Sequence, residues 1–305
     1  MSTIAEPVQL AEDFHVFSAD PSEVRFSYSK PEDPLWKRII IRGIERLTGQ
    51  PRLERLYRAW SAAPVPGENL FAAAMRLMQV RVACDEAALA AAPKTGPLLI
   101  IANHPFGVMD GLALMHMATR IRPDVKIMVH ALLCQPPELK DYLLPVDFSG
   151  TAEARATSAA TRRRTVDWLA RGHCVVIFPA GGVSTAQSPW RGRAVDSAWH
   201  EFVARLARAP GLKILPVFFE GQNSRAFHMA SHVNYSLRIA LLFRESVRRM
   251  GGKISAQVGA VIDASALPHA QGKKAVMQDL RRATYALGGQ DGSAEFVWPS
   301  HIKVD

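Results

Sequence analysis

With 305 residues, 48% hydrophobic and 21% charged, the chain is long enough for a large buried core, which excludes a disordered, fibrous or low-complexity protein. Its net charge of +9 favours anionic partners (lipid headgroups, the phosphates of CoA, an acidic carrier protein, nucleic acid) without choosing among them. Three cysteines, Cys84, Cys134 and Cys174, are too few and too scattered for a disulfide frame and fit a reducing compartment.

Residues 1–33 are polar, carry Pro7, Pro21 and Pro31, and predict irregular structure with no apolar core of signal-peptide length. Residues 35–60 place Leu35, Trp36, Ile39, Ile40, Ile44 and Leu47 at helical spacing, broken near Gly49-Gln50-Pro51. Lys37, Arg38, Arg42, Arg46, Arg52, Arg55 and Arg58 decorate the same segment. Such a stripe suits a helix lying in a membrane interface or a helix packed on its own domain, and one helix pair can do both. No stretch reaches the ~18 uninterrupted apolar residues of a spanning helix. A lipid substrate would therefore be met at the membrane surface, which suggests a peripheral protein of the cytoplasmic face.

Asn69 predicts a cap for a helix from Leu70 to Ala92. The next predicted elements are a strand over Leu98–Ala102, a helix over Gly111–Arg120, a strand over Lys126–Ala131 and a short helix over Pro136–Tyr142. A helix over Thr151–Arg171, a strand over Cys174–Phe178, a helix over Val195–Ala209 and a strand over Ile214–Phe219 follow. The pattern closes with a helix over Tyr235–Arg249, a strand over Lys253–Val261 and a helix over Gly272–Leu287. This alternation predicts an α/β fold with a layered mixed or largely parallel sheet flanked by helices. Residues 1–62 form an N-terminal extension with amphipathic helices, and residues 63–305 form the α/β domain. Cys174, inside an apolar run, is expected in the core.

Three apolar runs end in small-residue turns. The first leads into Asn103-His104-Pro105-Phe106-Gly107-Val108-Met109-Asp110. An imidazole takes a proton from an alcohol or amine near neutral pH, and a carboxylate on its far nitrogen orients it. A hydrogen-bonded His–Asp pair with no catalytic task is the other reading. The second run ends in Phe178-Pro179-Ala180-Gly181-Gly182-Val183-Ser184, whose amides suit a developing oxyanion or simply a tight loop. The third ends in Glu220-Gly221-Gln222-Asn223-Ser224, which reads as acceptor-lining groups or as turn chemistry. Open α/β sheets place sites at the carboxyl ends of strands, and His104, Gly181 and Glu220 all lie there, which predicts one shared cleft. Arg191 and Arg193 suit a phosphate or carboxylate, or a basic surface loop. Arg162-Arg163-Arg164 suits a solvated helix face or an acidic carrier protein. His228 and His232, four apart, lack the pattern of a zinc site.

In order and spacing these blocks, with Leu143-Leu144-Pro145-Val146-Asp147-Phe148 between the first two, resemble the lysophospholipid acyltransferase family. That group includes the 1-acylglycerol-3-phosphate acyltransferases, and the likeness runs over roughly residues 95–225. It implies a glycerolphosphate acyltransferase-like fold, His104 and Asp110 as the catalytic pair, and acyl-CoA or acyl carrier protein as co-substrate with no cofactor or metal. It further implies a lysolipid acceptor met by Asn103, Gly107, Phe178, Pro179, Gly181, Gly182, Ser184, Arg191, Arg193, Glu220 and Asn223. Five residues separate His104 from Asp110 where the family has four. Ala180 stands where most members carry Glu, and no Arg follows closely. Those departures point away from lysophosphatidate and towards the hemolysin-like branch and the acyltransferases of ornithine-type aminolipids.

No Gly-x-Ser-x-Gly elbow is present, so direct transfer to a hydroxyl is the simpler chemistry. A thioesterase or lipid hydrolase, in which His104 activates water, is the alternative; a non-catalytic lipid-binding protein is a third. No nucleic-acid motif supports nucleic acid as a partner.

Overall fold

The computed structural model describes residues 24, 26–27, 34–130, 136–146 and 151–302, without the side chain of Lys37. Most of the expected irregular segment 1–33, together with Ala131, Cys134, Asp147 and Phe148, lies outside them.

The helices are α1 (Leu35–Thr48), α2 (Gln50–Ala62), α3 (Leu70–Leu77), α4 (Glu86–Ala90), α5 (Val108–Ile121), α6 (Ala152–Ala170), α7 (Phe202–Leu206), α8 (Arg225–Val233), α9 (Tyr235–Ala240), α10 (Leu242–Arg248) and α11 (Lys273–Ala286). The strands are β1 (Arg81–Ala83), β2 (Leu98–Ala102), β3 (Val125–His130), β4 (Leu143–Val146), β5 (Cys174–Ile177), β6 (Thr185–Ala186), β7 (Ala194–Val195), β8 (Lys213–Phe219), β9 (Lys253–Val258) and β10 (Ile262–Asp263).

An eight-stranded sheet runs β1-β9-β8-β2-β5-β3-β4, with β10 on β8. The β8-β2-β5-β3-β4 block is parallel and β8 meets β9 antiparallel, so the α/β layered mixed sheet is the observed fold class. Strand β2 is buried along its whole length, as a strand covered on both faces must be. Leu98, Ile100 and Ala102 pack with Phe71, Met75 and Met109 under α3 and α5. Leu99 and Ile101 pack with Trp199, Val203 and Leu280 under α7 and α11. Cys174 lies in the first of these cores, where burial pushes its thiol up to about 12.

Several expected helices break. The span Leu70–Ala92 divides into α3, β1 and α4, because Gln79 takes a left-handed φ of 54° and Asp85 caps a new helix with its side chain. The span Val195–Ala209 keeps only α7; its first residue, Val195, ends β7, which returns against β6 as a hairpin. The span Tyr235–Arg249 bends at Leu241 into α9 and α10. The break between α1 and α2 falls at Gly49, whose φ of 109° a side-chain-bearing residue rarely adopts. Helix α1 rests on α9 and α10, yet Leu35, Trp36, Ile39, Ile40 and Leu47 stay exposed on its outer face. Among the described residues no helix is long and apolar enough to cross a membrane.

Candidate active site

Strands β8, β2 and β5 are adjacent and parallel, so the turns after them share one edge of the sheet. Asn103 leaves β2 and is consumed there: its Nδ2 donates to the Phe219 carbonyl at 3.0 Å and its Oδ1 accepts the Phe219 N–H at 2.7 Å. Expected among the substrate-binding residues, Asn103 instead clamps β2 to β8. His104 follows, its ring stacked on Phe178, the residue after β5, at 4.0 Å between centroids.

Asp110 sits in the first turn of α5 and is wholly buried. Its Oδ2 accepts the N–H groups of Phe106 at 2.6 Å and Gly107 at 2.9 Å, and lies 3.1 Å from His104 Nδ1. Neither Nδ1 nor Asp110 Oδ1 completes a hydrogen bond among the described residues. Such contacts often tighten only when substrate binds. Burial pushes the Asp110 carboxyl up, while His104 and the two amides pull it back. The five-residue spacing therefore preserves the pair, and Gly107 absorbs the extra residue at φ 79° as the α5 cap. A Cβ there would stand 3.0 Å from Leu242 Cδ2.

The β5 turn packs beside this pair. Ser184 N–H donates to the His104 carbonyl at 2.8 Å. Its hydroxyl is spent on Asp196 Oδ1 at 2.5 Å, so Ser184 holds the loop rather than offering a hydroxyl to substrate. Pro179 accepts the His200 N–H at 2.9 Å, and Gly181 N–H closes the turn on the Phe178 carbonyl at 3.0 Å. Gly181 is thereby removed as an oxyanion donor. Gly182 N–H has no acceptor among the described residues.

Three functional neighbours carry no local sequence signal. Asp196, buried within the span expected to be helical, accepts the His104 N–H at 3.2 Å, the Ser184 hydroxyl and the Trp199 indole at 2.9 Å. Arg238, 2% exposed, donates to the Val183 carbonyl, the Thr185 hydroxyl and, at 2.8 Å, the Ser231 hydroxyl. Its guanidinium grips both residues flanking Ser184, and burial lowers its pKa to about 10. Arg249 lies over Phe106 at 3.3 Å and donates to the Gln222 carbonyl at 2.8 Å.

Other expected residues lie elsewhere. Arg191 and Arg193 are exposed at the tip of the β6–β7 hairpin, beside Trp190 at 73% exposure. Glu220 turns to Gln257 Nε2 at 2.7 Å, beside Cys84, Asp85 and Lys253, so its side chain points away from the pair. Asn223 is buried after β8. His228 and His232 address opposite sides of Ala186: His228 Nδ1 accepts its N–H at 3.4 Å, and His232 Nε2 meets its carbonyl at 3.0 Å.

A histidine backed by a buried carboxylate, at the carboxyl ends of parallel strands and beside a glycine turn with a free amide, is an acid–base site suited to acyl transfer. The family described as acyltransferase matches residues 40–288, and the chain belongs to it. Over 148 residues the chain is 25% identical to the lyso-glycine lipid O-acyltransferase of Phocaeicola vulgatus. That alignment covers 48% of this chain and 50% of that protein, so the chain spans about half the length of the curated relative it matches. The crystal structure of the 1-acyl-sn-glycerophosphate (LPA) acyltransferase of Thermotoga maritima aligns with 83% of this chain and 80% of its own, at 13% identity and a TM-score of 0.44.

Proposed function

We propose that the protein moves a fatty acyl group from a thioester, acyl-CoA or acyl carrier protein, to a hydroxyl of a lysolipid. His104 is the general base and Asp110 its orienting partner. Asp110 takes the Nδ1 side of the ring, and Nε2 is left unengaged by any described residue. That nitrogen takes the hydroxyl proton as the acceptor oxygen attacks the thioester carbon. The carbon–sulfur bond then breaks, and the imidazolium returns the proton to the departing thiolate. Gly182 N–H meets the oxyanion.

Membership of the acyltransferase family and the relative named for a lyso-glycine lipid support a lysolipid acceptor. The departures from the usual third block favour an aminolipid over a glycerol phosphate: Ala180 is buried and apolar, and Arg238 spends its guanidinium on the loop rather than on a headgroup. The exposed apolar face of α1, with Arg42 and Arg46 exposed beside it, supports docking at the cytoplasmic membrane surface.

The 3.1 Å approach of His104 to Asp110 carries this reading. The test is mass spectrometry of wild type and His104→Ala incubated with acyl-CoA or acyl carrier protein and a panel of monoacylated lipids. A doubly acylated product from wild type, falling about 10²–10⁴-fold in the variant, is expected. Undiminished product from a folded His104→Ala protein would sink the mechanism.

A further inference from the structure

Among the described residues outside α1, the three most exposed large apolar side chains are Trp190 at 73%, Val233 at 67% and Val297 at 66%. They lie on three segments that His232 ties together. Its Nε2 meets the Ala186 carbonyl at 3.0 Å where the hairpin loop begins, its ring meets the edge of Phe296 at 5.8 Å, and its carbonyl accepts His301 Nε2 at 2.9 Å. Gln187 closes the junction by pairing both ends of its amide with the main chain of Val297, at 3.0 Å and 3.3 Å. At the other end of the loop, Arg225 donates to the Gly192 carbonyl at 3.1 Å. The β6–β7 hairpin therefore lies along α8 and is fixed at both ends of its loop. Trp190 is held between those ties and left mostly uncovered. A large apolar ring displayed on a fixed turn gains nothing for the fold by facing water, and such exposure marks a contact surface.

The surrounding charge defines what covers it. Arg191 and Arg193 are exposed on either side of Gly192, and Arg225 is exposed at the start of α8. Against these three cations stands Glu295, the exposed acid of the neighbouring tail. Residues 190–193 are all exposed, so the turn presents a point rather than a groove, which suits a soft anionic surface better than a shaped protein pocket. In lipid interfaces an indole sits at headgroup level, and arginine lays its stem in the apolar layer while its head reaches the phosphates. We infer that the tip of the β6–β7 hairpin is a second lipid-contact element, separate from α1. It inserts Trp190 among the headgroups of an anionic phospholipid bilayer, with Val233 and Val297 at the margin and Arg191 and Arg193 on the phosphates. This deepens the membrane docking of the proposed function and rests on that reading. Ser184, at the foot of the hairpin, donates to the His104 carbonyl, and the six residues from there to Trp190 span at most about 20 Å. The hydrocarbon of one leaflet is about 15 Å deep. A lysolipid at the tip therefore lies within about one lipid length of His104.

The test measures binding of the full chain to vesicles with no thioester or acceptor present. Vesicles of phosphatidylcholine alone are compared with an equal mixture of phosphatidylcholine and phosphatidylglycerol, on wild type, Trp190→Ser and the double change Arg191→Gln, Arg193→Gln. Trp190→Ser is expected to weaken binding to the mixed vesicles at least about 10-fold. The double arginine change should weaken it about 10–30-fold there and leave binding to phosphatidylcholine alone unchanged. Both variants should melt with wild type, because the altered side chains are exposed. Vesicles with brominated acyl chains should quench wild type more than Trp190→Phe, the difference being the emission of Trp190 itself. Equal binding by wild type and Trp190→Ser, or equal quenching of wild type and Trp190→Phe, would overturn the inference. Self-association without lipid that Trp190→Ser abolishes, with vesicle binding intact, would also overturn it and assign the patch to a second copy of the chain. Weakened binding by Trp190→Ser, with no product from any acceptor on wild type, would uphold the hairpin contact and defeat the acyl-transfer reading. Product from wild type with undiminished binding by Trp190→Ser would do the reverse.

Discussion

The Asp196 carboxylate accepts the main-chain N–H of His104 at 3.2 Å and the Ser184 hydroxyl at 2.5 Å, tying three loops to one buried charge. The β6–β7 hairpin is flanked by Ser184 and Asp196, so both of its ends are anchored to the main chain of His104. Asp196 itself is held by the Tyr285 hydroxyl, which accepts its N–H at 2.8 Å, and by Arg281 on its carbonyl at 3.0 Å. Replacing it with Ala strands three buried donors. Asp196→Ala is expected to lower stability by about 3 kcal/mol and kcat by at least about 10-fold. Ser184→Ala, which loses one of those bonds, should cost about 1 kcal/mol and little rate. Urea unfolding and initial rates on the two variants check both statements.

Asp110→Asn separates stability from catalysis. Burial raises this carboxyl, so the fold favours its neutral form; that contribution is present at acid pH and is lost as pH rises through the raised value. An amide keeps the Oδ acceptor for Phe106 and Gly107 and never ionises. The variant should therefore melt no lower than wild type at neutral pH. Its kcat should fall by about 10³–10⁴, the effect of losing the carboxylate that sets a histidine tautomer. Thermal melts beside steady-state rates would reveal the opposite pattern if Asp110 were merely structural.

His228 predicts an acid limb of stability. Burial lowers its pKa from 6.5 to about 4, with Arg225 and Arg238 adding to the shift. Between those values the unfolded chain binds a proton that the folded chain refuses, so stability is present above 6.5 and declines as pH falls towards 4. From pH 7 to pH 5 the loss from this one ring is on the order of 1–2 kcal/mol. His228→Asn should flatten the pH dependence of the melting temperature by that amount; parallel curves for the two proteins would refute it.

The outer face of α1 predicts lipid binding. Ile39 and Ile40 are 62% and 53% exposed. The double change Ile39→Glu, Ile40→Glu should leave melting unchanged and reduce sedimentation with anionic vesicles at least about 10-fold, since it removes buried apolar area and adds like charge. Unaltered sedimentation would place the membrane contact elsewhere.

The α/β architecture, the central strands β2, β5 and β8 and the His104–Asp110 pair were legible in the chain. Each rests on local signals: apolar runs the length of a buried strand, a glycine that permits a positive φ, and an acid six residues after the histidine. Boundaries failed where one residue overrode periodicity, as Gln79 does in ending α3 and as Leu241 does between α9 and α10. The roles of polar side chains were legible only as alternatives. Asn103, Ser184, Glu220 and Asn223 read alike as turn or site residues, and what separates them is where each hydrogen bond goes. The first is spent on Phe219, the second on Asp196 and the third on Gln257, while the fourth finds no partner among the described residues.

Asp196 and Arg238 were invisible for the same reason. They reach the site from 92 residues beyond His104 and from 53 beyond Thr185. Periodicity and turn chemistry act over a few residues, so the chain alone determined its strands, its turns and the pairing of His104 with Asp110. A buried polar group is placed by which partners packing brings within hydrogen-bonding distance, and only the tertiary structure chose Asp196 to hold His104.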